Sequence, residues 1–260
     1  MTEQQKETGM LVLETSGRLI MEYGGETYRV EDTVQRMGVS LGFDRAECFA
    51  VPSGVFISCE EGSGPADTRV VRIRRKETDL GRVNDVNRVS RELSAGELSP
   101  QQALEELRRI EKRKETTSPG LKIVAAGVSS MGFSLIFGAD WREALLALVT
   151  ASLVQAVQLL GGRLRLAGHL SDSLIGSFLT VFLPLAVGEF VPGLNTTAAI
   201  AGGLMPLLPG LTMTNAIQDM LQGDDISGAS HAMRALTVAA LVAGGAMIAA
   251  NIIAWRGSVG

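Results

Sequence analysis

The feature that most restricts this chain is an abrupt loss of charge near residue 118. Residues 1–117 hold 18 Lys/Arg and 21 Asp/Glu, a third of the positions, while residues 118–260 hold 6 and 7, under a tenth. A stretch so poor in charge and so rich in Leu, Ala, Val and Gly belongs in lipid; the first part belongs in water. The expected fold class is therefore a multi-pass α-helical membrane protein with an N-terminal α+β soluble domain. We place the soluble domain at residues 1–117 and a transmembrane domain of about five helices at residues 118–260.

The inventory of reactive groups removes several functions. A net charge of −4, mixed in sign, with no basic stripe carrying interleaved aromatics, argues against nucleic acid. The polar start MTEQQKETGM lacks the basic and apolar regions of a secretory signal, so the soluble domain is expected to stay cytoplasmic. Cys48 and Cys59, without metal-ligand companions, read as ordinary buried thiols, and no cofactor or metal is expected. His169 and His231 both lie in the later half, so Ser53 or Cys59 would need an unusual base, and an enzyme is not expected. The pattern GxxxxGK[ST] is missing, which directs attention to a gradient-driven process rather than to ATP.

Periodicity organises the soluble part. Met10, Leu13, Gly17 and Ile20 fall at helical spacing up to Gly24–Gly25; Val30, Val34, Met37 and Leu41 form a second stripe, leaving Glu31, Asp32 and Arg36 for solvent or partners. The period then becomes two. Ala46, Cys48 and Ala50, then Val55, Ile57 and Cys59, then Val71 and Ile73 predict a small antiparallel sheet packed on helices. Leu80, Val83, Val86 and Leu93 mark a third helix, with Thr78 as its expected cap, and Ser99-Pro100-Gln101-Gln102 is a capping box opening a fourth. That helix ends in Arg108, Arg109, Lys112, Arg113 and Lys114, a basic cluster suited to anionic lipid and to holding this side inward.

Five apolar stretches follow: Leu121–Phe137, with Lys122 able to reach headgroups, then Ala144–Leu160, Ser173–Val187, Leu194–Gly210 and Leu236–Trp255. The turn at 138–143 and Arg256 would lie outside. The inner loops would hold residues 161–165 and then Asp219, Asp224, Asp225 and Arg234, with the C-terminus outside.

The fourth stretch is the odd one. As a helix it would reach only about 25 Å, short of the ~30 Å of bilayer hydrocarbon. It carries Gly202, Gly203, Pro206, Pro209 and Gly210, and its prolines should free carbonyls near Met205 to Gly210. A short, Gly/Pro-interrupted segment is the sequence pointer to a transporter's substrate site. Around it stand Asn195, Thr196, Thr197, Thr212, Thr214 and Asn215, amides and hydroxyls able to bind a small polar solute, with Asp219 as the candidate proton-coupling group. The competing reading is a kinked structural helix whose small residues permit close packing, with Asp219, Asp224 and Asp225 capping a cytoplasmic helix.

The run GGLMPLLPG…NAIQDMLQGDDISG followed by Arg234 resembles the threonine/serine exporter (ThrE) family. Gly24, the RVED at 29–32, Val51-Pro52-Ser53-Gly54, Thr68, the RVVRI block at 69–73 and Thr78-Asp79-Leu80 resemble that family's N-terminal module. The length is similar to the split, YjjP-type form. This resemblance implies an inner-membrane exporter of threonine and serine, or of succinate with a small YjjB-type membrane partner, in an oligomer. The second membrane module of the fused exporters has no counterpart here. Between Leu194 and Gly210 there is no Lys or Arg, which leans toward an amino acid unless a partner supplies cations for a dicarboxylate. A membrane-anchored scaffold or regulator without its own solute path is the alternative.

Overall fold

The computed structural model describes residues 1–62, 64–74, 77–113, 117–163 and 169–259. The chain forms two compact units, Met1–Lys114 with Thr212–Ala232, and Glu115–Leu211 with Met233–Gly260.

In the first unit the helices are α1 (Glu3–Glu22), α2 (Thr27–Ser40), α3 (Leu80–Ser94) and α4 (Pro100–Lys112), with strands β1 (Arg45–Val51), β2 (Gly54–Glu60) and β3 (Asp67–Arg72). The strands form an antiparallel meander in which Ala50 faces Val55 and Val55 faces Val71. Alternation does what the sequence predicts: Ala46, Ala50, Val55, Ile57, Cys59 and Ile73 turn inward, onto Met10, Leu13, Ile20, Val30, Val34 and Met37 from α1 and α2. The helix ends are set by local chemistry. Gly24, at φ +88°, adopts the left-handed conformation just past α1. Ser99 caps α4 in a capping box with Gln102, as expected. The cap of α3 is Asp79 rather than Thr78: its carboxylate accepts from the Arg82 amide at 3.1 Å and pairs with the Arg82 side chain at 3.0 Å.

Two further elements bridge the units along the chain: α9 (Gly210–Leu221) and α10 (Asp225–Val259). Residues expected in an inner loop are therefore helical, Asp219 within α9 and Asp225 and Arg234 within α10. The turn between them is only Gln222 to Asp224, with Gly223 at φ +89°.

The second unit contains α5 (Pro119–Ile136), α6 (Trp141–Arg163), α7 (His169–Phe190) and α8 (Thr196–Leu204), the last followed by a 3₁₀ turn, Met205–Leu207. Helices α5, α6, α7 and α10 are each long and apolar enough to cross a membrane. Val124, Val128, Leu145, Val149, Leu153, Met247 and Ile248 point outward, as they would toward lipid. Inside, small residues let the helices approach: a Cβ on Gly127 would lie 2.3 Å from Ser152 Oγ, and one on Gly245 would lie 2.4 Å from the Leu174 carbonyl oxygen. The expected crossing Leu194–Gly210 is not one helix. Thr196–Leu207 and Gly210–Leu221 form a pair bent by 53° at Leu208–Pro209, where Pro209 cannot donate to the helical ladder. The expected inner loop at 161–165 lies partly outside the described residues, as do Lys114 of the basic cluster and the side chain of Arg256.

Candidate functional site

The residues singled out from the sequence fall into two groups. Asn195, Thr196, Thr197, Gly202, Gly203, Pro206, Pro209 and Gly210 belong to the second unit, whereas Thr212, Asn215 and Asp219 belong to the first.

In the second unit much of the local polarity is spent on structure. Asn195 is the N-cap of α8, its side-chain oxygen accepting from the Ala198 amide at 3.4 Å. Its own amide donates to Glu143 at 2.9 Å, and the other oxygen of Glu143 accepts from the Asp140 amide at 2.7 Å. One carboxylate thus ties the start of α6 to the start of α8. A Cβ on Gly202 would sit 2.4 Å from the Ser134 amide nitrogen, and one on Gly203 would sit 2.7 Å from Thr180 Cγ2. Both glycines are contact points where α8 lies against α5 and α7. The carbonyls expected to be free are in part used locally: Met205 accepts from the Leu208 amide at 3.2 Å and Leu208 from the Gly210 amide at 2.9 Å. Facing the α8 glycines are Ser134 on α5 and Thr180 on α7, both buried, as is Ser130 one turn earlier on α5. Ser134 and Thr180 donate to carbonyls of their own helices; Ser130 Oγ has no partner among the described residues.

The first unit holds the more concentrated chemistry. The buried face of α9 carries Asn215, Ala216 and Asp219, while Met213, Ile217, Met220 and Leu221 face outward. This inverts the usual pattern of a helix packed on a soluble domain, and it arises because Asn215 and Asp219 are four residues apart on one face. Asn215 reaches the Gly24 carbonyl at 3.5 Å, the long limit of a hydrogen bond. Asp219 is fully buried, with Oδ2 2.8 Å from His231 Nδ1 on α10 and Oδ1 without a partner among the described residues. The hairpin is tight: a Cβ on Gly228 would lie 2.5 Å from Met220 Cγ and 3.0 Å from the Ala216 carbonyl oxygen.

Other acids surround the pair. Glu31, which the periodicity of α2 leaves for solvent or a partner, is half-buried and accepts from the Ala50 amide of β1 at 2.9 Å. Burial pushes its carboxyl above the usual range; the Ala50 amide opposes this, and the charges of Asp224 and Asp219 add to it. Asp224 is likewise raised, by burial first and then by Asp219 and Asp225. Capping fits Asp224 and Asp225, since the Asp224 carbonyl accepts the Gly228 amide at 2.8 Å and Asp225 lies in the first turn of α10. It does not fit Asp219, which lies in the last turns of α9. No three His, Cys, Asp or Glu come together as metal ligands among the described residues. The buried Asp219–His231 pair thus lies beside two acids, Glu31 and Asp224, that burial holds above their ordinary range.

Sequence reasoning had named Asp219 but missed His231 as its partner and Glu31 as its neighbour. The spacing of twelve residues between Asp219 and His231 becomes meaningful only once a turn is placed at Gly223.

The comparisons with known proteins agree with this architecture. A family model described as "Putative threonine/serine exporter" matches residues 12–253. Over 99% of both chains the sequence is 25% identical to the "Probable succinate transporter subunit YjjP" of Escherichia coli. It is 23% identical to the "Probable threonine/serine exporter" of Mycobacterium tuberculosis over 71% of this chain, and 24% identical to the "Threonine/serine exporter" of Corynebacterium glutamicum over 61%. The chain spans only about a third of the length of those last two relatives, 34% and 33%. No solved structure matches. With nearly its whole length covered by that model, and with four to five segments able to cross a bilayer, this is a membrane protein that belongs to the ThrE family, one of transporters and not of enzymes.

Proposed function

We propose that this chain is one subunit of an inner-membrane secondary exporter of small polar metabolites, threonine and serine or a dicarboxylate such as succinate. It would act with a small second membrane subunit of YjjB type. The observation that carries this reading is the break at Leu208–Pro209, where a candidate crossing bends by 53° between two short helices. On this reading Asn195, Thr196, Thr197, Gly202, Gly203, Pro206, Pro209, Gly210, Thr212 and Asn215 border the solute path, and Asp219 couples it to protons through His231. The N-terminal domain is cytoplasmic in this arrangement, with the basic end of α4 toward anionic headgroups. The full-length likeness to a chain named as a transporter subunit supports the need for a partner.

One set of contacts favours the alternative, a membrane-anchored scaffold: Asn195, Gly202 and Gly203 are all accounted for by capping and packing. Intracellular threonine, serine and succinate, measured in cells with and without this chain and its partner, separate the two. An exporter lowers at least one of the three pools; no change in any of them leaves the scaffold. Within the exporter reading, Asp219→Asn should flatten the pH dependence of export. An unchanged rate and pH profile would remove Asp219 from coupling.

A further inference from the structure

The hairpin formed by α9 and the start of α10 is part of the same compact unit as residues 1–114, yet the face it buries is polar. Titratable groups from three places act on Asp219: Glu31 of α2 and Asp224 of the turn through their charge, and His231 of α10 by direct contact; Cys48 of β1 neighbours Glu31, and Asp225 neighbours Asp224. Among the described residues no Lys or Arg forms an ion pair with Glu31, Asp219 or Asp224. Even with His231 charged, three carboxylates against one imidazolium leave excess negative charge in a site from which Asp219 has no access to solvent. Asp219 Oδ1 is a second, independent sign: a fully buried acceptor without a donor, where a protonated carboxyl or a hydrogen shared with a neighbour would supply one.

We propose that Glu31 and Asp224, set beside the buried Asp219–His231 pair, form one proton-binding site that clamps residues 212–232 onto α2 and β1. With the proton bound the hairpin is seated; when the proton leaves to water, repulsion among the carboxylates loosens it. The direction in pH follows from linkage. Glu31 and Asp224 are raised in the seated state, so that state binds protons the released one would give up. The clamp is therefore fully held below the ordinary carboxylate range and weakens as pH rises through the raised values. Because α9 and α10 run on into the second unit along the chain, a seated or released hairpin changes how freely those helices can move. The device would make the membrane part sensitive to cytoplasmic acidity.

The test is hydrogen–deuterium exchange of the full chain in lipid nanodiscs from about pH 5 to about pH 8, corrected for the intrinsic pH dependence of amide exchange. Core amides of α1 and α3 serve as the internal reference for folding. Protection of 212–232 relative to that reference should fall about tenfold as pH rises. Glu31→Gln, which keeps an acceptor for the Ala50 amide but cannot ionise, should flatten the profile and hold the hairpin seated. Constant relative protection in the wild type, or a Glu31→Gln profile that follows the wild type, overturns the clamp. The clamp needs no solute, so export measured on the same variants reports separately. A flat exchange profile with pH-dependent export leaves Asp219 its coupling role, and a pH-dependent profile without export does the reverse.

Discussion

Cys48 and Cys59 show how far single residues could be read in advance. Their alternation along β1 and β2 placed them in a sheet, and burial follows, with Cys59 wholly enclosed and Cys48 half so. Burial, helped by Asp67 and opposed by Arg69 and Lys6, pushes the Cys59 thiol up to about 11; burial and then Glu31 raise that of Cys48 further. Since the thiolate is the nucleophile, both should react with a maleimide at neutral pH about a hundredfold or more slower in the folded chain than after denaturation. Equal rates would mean that the sheet does not cover them. Glu31 marks the limit of the same kind of reading. On a helical wheel it lies next to Thr27, Val34 and Gly38, at the border of the buried face, and the periodicity of α2 alone leaves it for solvent or a partner. It is instead an acceptor for the amide of Ala50, and no pattern within α2 announces an edge strand nineteen residues later.

At the scale of elements, signals confined to a few neighbours were legible: the capping box at Ser99, the strand alternation, the long apolar helices. Those that depend on two helices meeting were not. Asp225 and Arg234 read as inner-loop residues, which places the start of the last helix near Leu236, yet α10 begins at Asp225, and at Gly228 it meets Ala216 and Met220. Gly202 has the same nature. A Cβ there meets the Ser134 backbone, 2.4 Å from the nitrogen and 2.6 Å from Cα, and backbone cannot move aside as a flexible side chain would. Gly202→Ala should therefore destabilise the bundle by roughly 1–3 kcal/mol through overpacking. Gly132→Ala, two residues after Ser130 and on the outer side of α5 with nothing within 4 Å of its Cβ, should be neutral or stabilising by up to about 1 kcal/mol. Thermal unfolding in detergent, followed by helical circular dichroism, checks the pair. Equal midpoints for the two variants would mean that α8 does not lie on α5 through this glycine.

At the scale of the whole molecule the open quantity is parity. If the bent pair does not cross, four spans return the C-terminus to the side of the N-terminal domain; if it does, five carry it to the other side. If Thr212–Ala232 stays with Met1–Lys114, with which it groups, it lies on the side of the N-terminal domain. Three crossings, α5 to α7, leave Phe190 on the far side, so the chain must come back between Val191 and Leu211, before α9. Only Thr196–Leu207 is available, and its twelve residues reach about 18 Å against ~30 Å of hydrocarbon. The fourth crossing would then be the thinnest, and the bilayer or a partner subunit must adapt around it. We expect an alkaline phosphatase fused after Gly260 to be active outside the cytoplasm and a fluorescent protein at the same place to stay dark. Bright fluorescence with inactive phosphatase would make Thr196–Leu221 a re-entrant loop, and a solute path built on a complete fourth crossing would have to be abandoned.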